Sequence, residues 1–391
     1  MILSQLLIPS RGEVSLRCPD QVYENVVSSW NQVVETHDAG LMDPKHSSEL
    51  FSPGLSSSEA WHHYSAGQAG VVDSARFLIT FSLVPSVQTG GSPLHIAASL
   101  GHLDQVKQVL EDGARVDEVK EDGNTALHSA AIMGHETVVR LLVEEGAQVE
   151  ATGNSGATPL MMAAALGHDH VVRALLEAGA KADTKHRFGG TTALHFAAEV
   201  GRLEVMRTLC DHGADPESEK STGGTALHTA ADANMTQAVR VLVEECGADI
   251  NKLLMRDTTA LYLAAQRGFT QVVAELIRLE ARVNHVMPRG QQRSDLISLS
   301  GDSAHTGYYP LKNTELGNGA TALHAAVENG HLETAELLLQ HGAVQSNSME
   351  GATPLIIALQ YKHPHIAIML LQDQWSDPRI NDKVNLNAMK S

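Results

Sequence analysis

Residues 124–147 read NTALHSAAIMGHETVVRLLVEEGA, and close variants of this segment recur along the chain. The leucine of the segment returns as Leu94, Leu127, Leu160, Leu194, Leu227, Leu261, Leu323 and Leu355. Successive leucines lie 32 to 34 residues apart, except for the 62 residues from Leu261 to Leu323. Because self-similarity at such a period is typical of repeat proteins, we predict eight repeats with an insertion between the sixth and the seventh.

Each repeat predicts two short helices. Thr125 can cap the first helix through its hydroxyl, and Gly134 supplies the left-handed residue that ends it. Val138 and Leu142 then follow at the spacing of one buried helix face, and Gly146 ends the second helix. Helices this short are not stable alone in water, so they must stack on their neighbours.

The pattern resembles the ankyrin repeat, whose Thr-Pro-Leu-His opening and Gly-Ala close recur here over about residues 90–285 and 319–372. The resemblance implies an all-α repeat fold, an ankyrin solenoid of stacked helix-turn-helix units with β-hairpin fingers. It also implies that the motif histidine bonds to the threonine of its own repeat and to nearby backbone. In this chain those histidines include His95, His128, His195 and His228.

Two repeats depart from the glycine pattern. Repeat five has Asn234 where the first-helix glycine belongs, and asparagine is an acceptable left-handed substitute. Repeat six has Glu280 in place of the closing glycine. We therefore expect the junction after repeat six to be the weak one.

The repeats divide the chain into four parts. Residues 1–88 show no period, and we expect a partly disordered segment whose apolar run Phe77–Val84 caps repeat one. Residues 89–285 hold repeats one to six, and residues 319–391 hold repeats seven and eight with a C-terminal tail. Residues 286–318 are an inserted loop, which is either functional or a neutral insertion.

Charge and hydropathy limit the partners. The formal net charge of −18 argues against nucleic acid, because phosphate backbones would repel the chain. No apolar run approaches the roughly 20 residues that cross a bilayer. We expect a monomer with a protein partner.

The cysteines bear on the compartment. Cys18, Cys210 and Cys246 form an odd, scattered set without a disulfide-framework spacing, which favours a reducing compartment, either cytoplasm or nucleus. The apolar opening Met1–Ile8 lacks a basic region, yet it leaves secretion open. Cys210 aligns with Val143 of repeat two, so we interpret it as a small buried hydrophobe.

The sequence offers no catalytic site, metal site or cofactor site. Most of the 21 histidines recur in register, and helices packed about 8–10 Å apart cannot bring their histidines onto one ion. The repeated histidines are therefore interpreted as structural. We expect a protein that is not an enzyme.

The resemblance implies partner binding through the finger tips and the exposed end of each first helix. There the first four repeats place Leu100, Ile132, Met133, Leu166 and Val200, and the finger before repeat four adds Lys185, Arg187 and Phe188. An apolar surface rimmed by charge is typical of a protein interface, although adjacent fingers could instead cover these side chains. From repeat five onward the same positions turn polar.

These features favour a scaffold or adaptor that holds its partner on the concave face. The alternative is an inhibitor or regulatory subunit that blocks an enzyme or a transcription factor.

Overall fold

The computed structural model describes residues 91–254, 257–286, 319–348 and 352–376. The predicted N-terminal segment and its cap, and nearly all of the inserted loop, lie outside these residues. The described residues contain sixteen helices, two for each of the eight repeats.

The first helices of the repeats are α1 (Pro93–Leu100), α3 (Ala126–Met133), α5 (Pro159–Leu166), α7 (Ala193–Val200), α9 (Ala226–Asp232), α11 (Ala260–Arg267), α13 (Ala322–Glu328) and α15 (Pro354–Gln360). The second helices are α2 (Leu103–Glu111), α4 (Glu136–Glu144), α6 (Asp169–Glu177), α8 (Leu203–Asp211), α10 (Thr236–Glu244), α12 (Thr270–Arg278), α14 (Leu332–Gln340) and α16 (Pro364–Ser376). Each first helix packs on the first helix of the next repeat, and each second helix on the next second helix. The predicted stacked helix-turn-helix fold is confirmed.

The helix ends follow the predicted signals. Thr125 caps α3, and Gly134 ends it with a left-handed φ of 78°. Asn234 takes the left-handed conformation at φ 59°, as predicted, and Glu280 is held in the same region at φ 69°. Because a side chain makes this region unfavourable, Glu280 carries local backbone strain.

The core is a continuous row of small and aliphatic side chains. Ala130 and Ala131 of α3 and Val138 and Leu142 of α4 are fully buried. Alanines allow successive first helices to approach closely, while the aliphatic side chains of the second helix fill the space between the two layers. Burial therefore links each repeat to its neighbours rather than closing a separate core.

The predicted β-hairpin fingers are shorter than strands. Between α2 and α3, the N–H of Lys120 donates to the carbonyl of Asn124, at 2.9 Å. Among the described residues, the β-structure of the fingers consists of two isolated antiparallel bridges, Val119 with Thr125 and Leu254 with Thr258. The fingers are tight turns, because only one or two residues lie on each side of the reversal.

The insertion between repeats six and seven leaves the stack intact. The Nε2 atom of His331 lies 3.0 Å from the carbonyl oxygen of Gln266, and the hydroxyls of Thr270 and Thr334 lie 2.9 Å apart. Helix α11 also packs directly on α13. Repeats six and seven therefore stack directly, and a weaker junction after repeat six stays a prediction that rests on Glu280.

The interpretation of Cys210 as an unpaired buried residue is wrong. Cys210, near the end of α8, forms a disulfide with Cys246, which follows α10. The two residues are 36 positions apart, one repeat plus a short offset, so stacking places them on adjacent repeats with Cα atoms 5.5 Å apart. Since Cys210 and Cys246 are bonded, the cysteines no longer favour a reducing compartment.

Candidate protein-interaction surface

His128 shows how the fold uses the motif histidines. The hydroxyl of Thr125 lies 2.9 Å from Nδ1 of His128, and the backbone N–H of Thr125 also donates to that nitrogen at 3.2 Å. Since Nδ1 accepts a hydrogen bond, the proton lies on Nε2, which faces the carbonyl oxygen of Ala157 in the next finger at 3.2 Å. The bonding that the resemblance implied is confirmed, and the ring joins one first helix to the next finger.

The same contact recurs in other repeats. The threonine or serine hydroxyl lies 2.8–2.9 Å from the imidazole Nδ1 in the pairs Ser92–His95, Thr192–His195, Thr225–His228 and Thr321–His324. Burial lowers the pKa of His128 to about 4, that of His195 to about 3 and that of His228 to about 4. These imidazoles are neutral near pH 7.

A second row of contacts was missed in the sequence. In repeats two and three the residue before the second helix reaches back to the preceding repeat: Nε2 of His135 lies 2.9 Å from the carbonyl oxygen of Ser99, and Nε2 of His168 lies 2.9 Å from that of Ile132. In repeat four Arg202 takes this position and donates from Nε to Ala165 at 3.4 Å. These contacts fix the C-terminal ends of α1, α3 and α5, where the candidate surface lies.

The structure divides the predicted surface residues. Each repeat contributes a pair of variable residues at the C-terminal end of its first helix, and in repeats two to four the first member is buried. Ile132 is such a first member and is only 2% exposed, so its assignment to the surface is wrong. It belongs to the core because the next repeat packs against that side of α3.

The second members form what we call the apolar strip. The strip comprises Leu100, Met133, Leu166 and Val200, one from each of the first four repeats. Leu100 is 55% exposed, whereas the other three are half-buried and also pack against the core. Their first helices are consecutive in the stack, so the structure brings the strip residues together in order.

Polar groups replace the strip beyond repeat five. The second member of the variable pair is the small Ala233 in repeat five and Arg267 in repeat six. Arg267 donates to both carboxylate oxygens of Asp232, at 2.9 and 3.3 Å. In repeat eight the hydroxyl of Tyr361 donates to Glu328 at 3.1 Å, and burial raises the pKa of Glu328. The strip thus ends near the middle of the stack.

The finger residues form a separate group. His186 is buried between the rings of Phe188 and Phe196, at centroid distances of 6.0 and 5.8 Å, and so anchors the finger to α7. Arg187 is exposed with its guanidinium 5.6 Å from the Phe188 ring, while Lys185 donates to the carbonyl oxygen of Glu219 at 2.8 Å. These residues precede α7 and Val200 ends it, so about 10 Å of helix separates the finger from the strip.

The outer helices carry charges that are already paired across repeats. Arg140 contacts Glu136 in its own helix at 2.9 Å and Glu177 in the next second helix at 3.0 Å. Further along, Arg240 and Arg278 both contact Glu275, and their hydrogen bonds lower the pKa of that carboxyl to about 2. These basic side chains of the outer helices are therefore already paired within the stack.

The described residues offer neither a cluster of metal ligands nor a membrane-spanning helix. They contain no group of three or more His, Cys, Asp or Glu side chains that could hold a metal ion. None of their helices is both long and apolar enough to cross a membrane.

Comparisons with known proteins agree with the observed stack. A family model described as ankyrin repeats (3 copies) matches residues 61–153, 94–186, 150–220, 178–254, 214–287 and 296–383. The crystal structure of the human ASB11 ankyrin repeat domain is similar to the chain at a TM-score of 0.51 and 26% identity. That likeness covers 66% of this chain and 100% of the other.

A curated relative is similar over a short segment. The potassium channel AKT3 of Oryza sativa subsp. japonica is 38% identical over 64 residues, which are 16% of this chain and 7% of the channel. The chain therefore spans well under two thirds of that relative.

Proposed function

The chain belongs to the ankyrin-repeat family, and from this premise we propose that it is a scaffold or adaptor that holds a partner protein along the apolar strip. Ankyrin repeats are in general protein–protein interaction modules. The proposal adds a location, the first four repeats, and a kind of partner, a protein segment with apolar side chains at matching intervals.

The observation that supports this location is the alignment of the strip. Leu100, Met133, Leu166 and Val200 lie at the same end of four consecutive first helices. Helices packed roughly 10 Å apart make the strip about 30 Å long, enough for a partner helix or an extended segment. Partly exposed apolar residues in a row are typical of an interface, and Arg187 and Phe188 lie on the finger at the other end of α7.

The proposal assigns no catalytic role to the chain. The motif histidines use both ring nitrogens or are neutral and buried, so they are poor general bases. We propose a monomer with no nucleic-acid partner, and because ankyrin-repeat proteins are often intracellular we propose that it works in the cytoplasm or nucleus. Fluorescence microscopy of the tagged chain and light scattering of the purified protein test compartment and oligomeric state.

Partner capture tests the strip. Crosslinking from the native source would be compared for the wild type and for the triple variant Leu100→Ser, Met133→Ser, Leu166→Ser. Each substitution removes apolar area worth on the order of 1–2 kcal/mol of binding, so we expect capture to fall at least tenfold. The circular dichroism spectrum should stay close to that of the wild type.

A second triple variant is the matched control. Thr137, Gln237 and Gln271 are exposed on second helices, and changing them to Ser should leave capture unchanged. Full capture by the strip variant would remove the strip from the proposal and direct attention to the finger with Arg187 and Phe188. An activity assay of the captured partner, with and without this chain, separates a scaffold from an inhibitor.

A further inference from the structure

Repeat five holds one residue more than the other repeats at the end of its second helix, and that residue is Cys246. Repeat two reads VEEGA at this point, whereas repeat five reads VEECGA. The backbone absorbs the addition in a wider turn, in which the N–H of Cys246 donates to the carbonyl of Val241, five residues earlier, at 3.0 Å. The added residue faces Cys210 and is bonded to it.

Packing alone does not call for a cysteine at the other end of the bond. The position of Cys210 is occupied by Val143 in repeat two and by Val243 in repeat five. An aliphatic residue therefore fills this site in the same fold, so the thiol of Cys210 adds bonding rather than volume.

The bond lies at a boundary that matters for the proposed surface. It joins α8 of repeat four to the end of α10 of repeat five, and Arg207 crosses the same boundary with two hydrogen bonds to Glu245, at 2.7 and 3.1 Å. Repeat four contributes Val200, the last residue of the apolar strip, and repeat five contributes the carboxylate of Asp232. The covalent link therefore fixes the apolar half of the concave face relative to the polar half.

We propose that the Cys210–Cys246 disulfide is a reversible redox lock on the boundary between repeats four and five. Both cysteines are half-buried rather than enclosed, so a small thiol can reach them. To close the lock, one cysteine thiolate attacks a small-molecule disulfide and releases one thiol; the second cysteine then displaces the other thiol from the mixed disulfide. The protein loses two electrons and the small disulfide gains them, and a dithiol reverses the exchange.

The thiol count, the melting temperature and the hydrogen exchange of the purified protein test the lock without a partner. In a Cys18→Ser background, the protein would be equilibrated in glutathione buffers of stepped ratio, and free thiols would be counted by alkylation and mass spectrometry under native conditions. We expect a reversible two-electron transition, and a melting temperature roughly 5–10 °C lower on the reduced side. Hydrogen exchange of α8 and α10 should speed up at least tenfold on reduction, while that of α3 and α4 changes little.

The control variant is Cys210→Val, which restores the aliphatic residue of the other repeats. It should melt like the reduced protein and lose the two-electron transition, because the remaining Cys246 thiol can form only a mixed disulfide with glutathione. A pair that resists reduction until the protein unfolds is a permanent structural bond and overturns the proposal. Equal melting temperatures and equal exchange in the two redox states overturn it as well.

A further arm rests on the proposed function. Capture of the partner should weaken at least threefold on reduction of the wild type, and Cys210→Val should capture weakly in both buffers. If the thermal and exchange readouts respond but capture does not, the lock stands and the strip is not what it controls. If the strip variant captures the partner as well as the wild type does, the proposed scaffold surface fails. The lock is then still judged on the thiol count, the melting temperature and the hydrogen exchange.

Discussion

A single imidazole does two tasks in three of these repeats, at His95, His128 and His195. At His128, Nδ1 accepts from the capping threonine and Nε2 donates to the next finger. Both bonds need the neutral ring, and burial opposes the charged one. The histidines that look like candidate ligands in the sequence are therefore sensors of acid for the whole stack.

Acid should destabilise the protein well above the range of its carboxylates. The pKa of His128 is about 4 in the folded chain, and an exposed histidine has a pKa of about 6.5. Since the unfolded chain binds more protons, the free energy of unfolding falls as the pH drops below about 6.5 and levels off near 4. The loss is about 2 kcal/mol for this histidine at pH 5, and His195 and His228 add similar losses.

Denaturant unfolding at pH 7, 6 and 5 measures this dependence. The matched variant is His195→Met, because repeat three carries Met161 at the same motif position. Between pH 7 and pH 5 the free energy of unfolding of this variant should fall less than that of the wild type, by the roughly 2 kcal/mol that one buried histidine contributes. A variant with the wild-type dependence would show that the buried ring is not the titrating group.

The two members of a variable pair should respond differently to the same substitution. Ile132 is 2% exposed and Leu100 is 55% exposed. We expect Ile132→Ser to lower the free energy of unfolding by about 3 kcal/mol, because it leaves a cavity and buries a hydroxyl, and Leu100→Ser by less than about 1 kcal/mol. Equal losses in chemical denaturation would mean that Leu100 belongs to the core.

At the scale of an element, the caps were readable and the contacts between repeats were not. Helix ends could be predicted from Thr125, Gly134 and Asn234, because a capping residue acts on backbone groups only a few residues away. The burial of Ile132 and the hydrogen bond between His135 and Ser99 depend on contacts with the adjacent repeat. A helix wheel cannot distinguish the first member of a variable pair from the second, since each is exposed on an isolated helix.

Glu280 gives the clearest test of an element end. It is held at φ 69° where other repeats have glycine, and a side chain there costs about 1 kcal/mol. Glu280→Gly should therefore raise the free energy of unfolding by about 1 kcal/mol in urea denaturation.

The reverse substitution is the control. Gly146 sits at the equivalent place in repeat two with φ 86°, and a Cβ atom there would meet nothing within 4 Å. Gly146→Glu should therefore lose a similar amount through backbone conformation alone. If neither variant changes stability, these turns relax when substituted and the junction after repeat six is not weakened by Glu280.

At the scale of the whole molecule, periodicity predicts the stack and its order, and it misses what departs from the period. The eight leucines suffice to place the helices, and they put the apolar strip on the first four repeats. The Cys210–Cys246 bond was missed because the two cysteines lie in different repeats, and a pattern read within one repeat does not show which residues face each other across the boundary. Counting from repeat to repeat would have shown that Cys246 is an addition at a boundary.

Hydrogen exchange should grade the stability along the stack. Repeats two to five have neighbours on both sides and share the paired charges of the outer helices, whereas Leu359 and Ile368 of repeat eight are 63% and 54% exposed. We expect the slowest exchange in repeats two to five and the fastest in repeat eight. Uniform protection through repeat eight would contradict this nearest-neighbour account.

The row of contacts from His135 to Ser99 and from His168 to Ile132 has a consequence for how such a chain can evolve. Each ring meets a carbonyl 36 residues earlier, so duplicating or deleting one whole repeat remakes an equivalent contact. Recombination within repeats one to three can therefore change copy number without a repair mutation. Across repeats four and five the same event would leave a cysteine without its partner, so the ancestry of the array should show its length varying on either side of that pair and not through it.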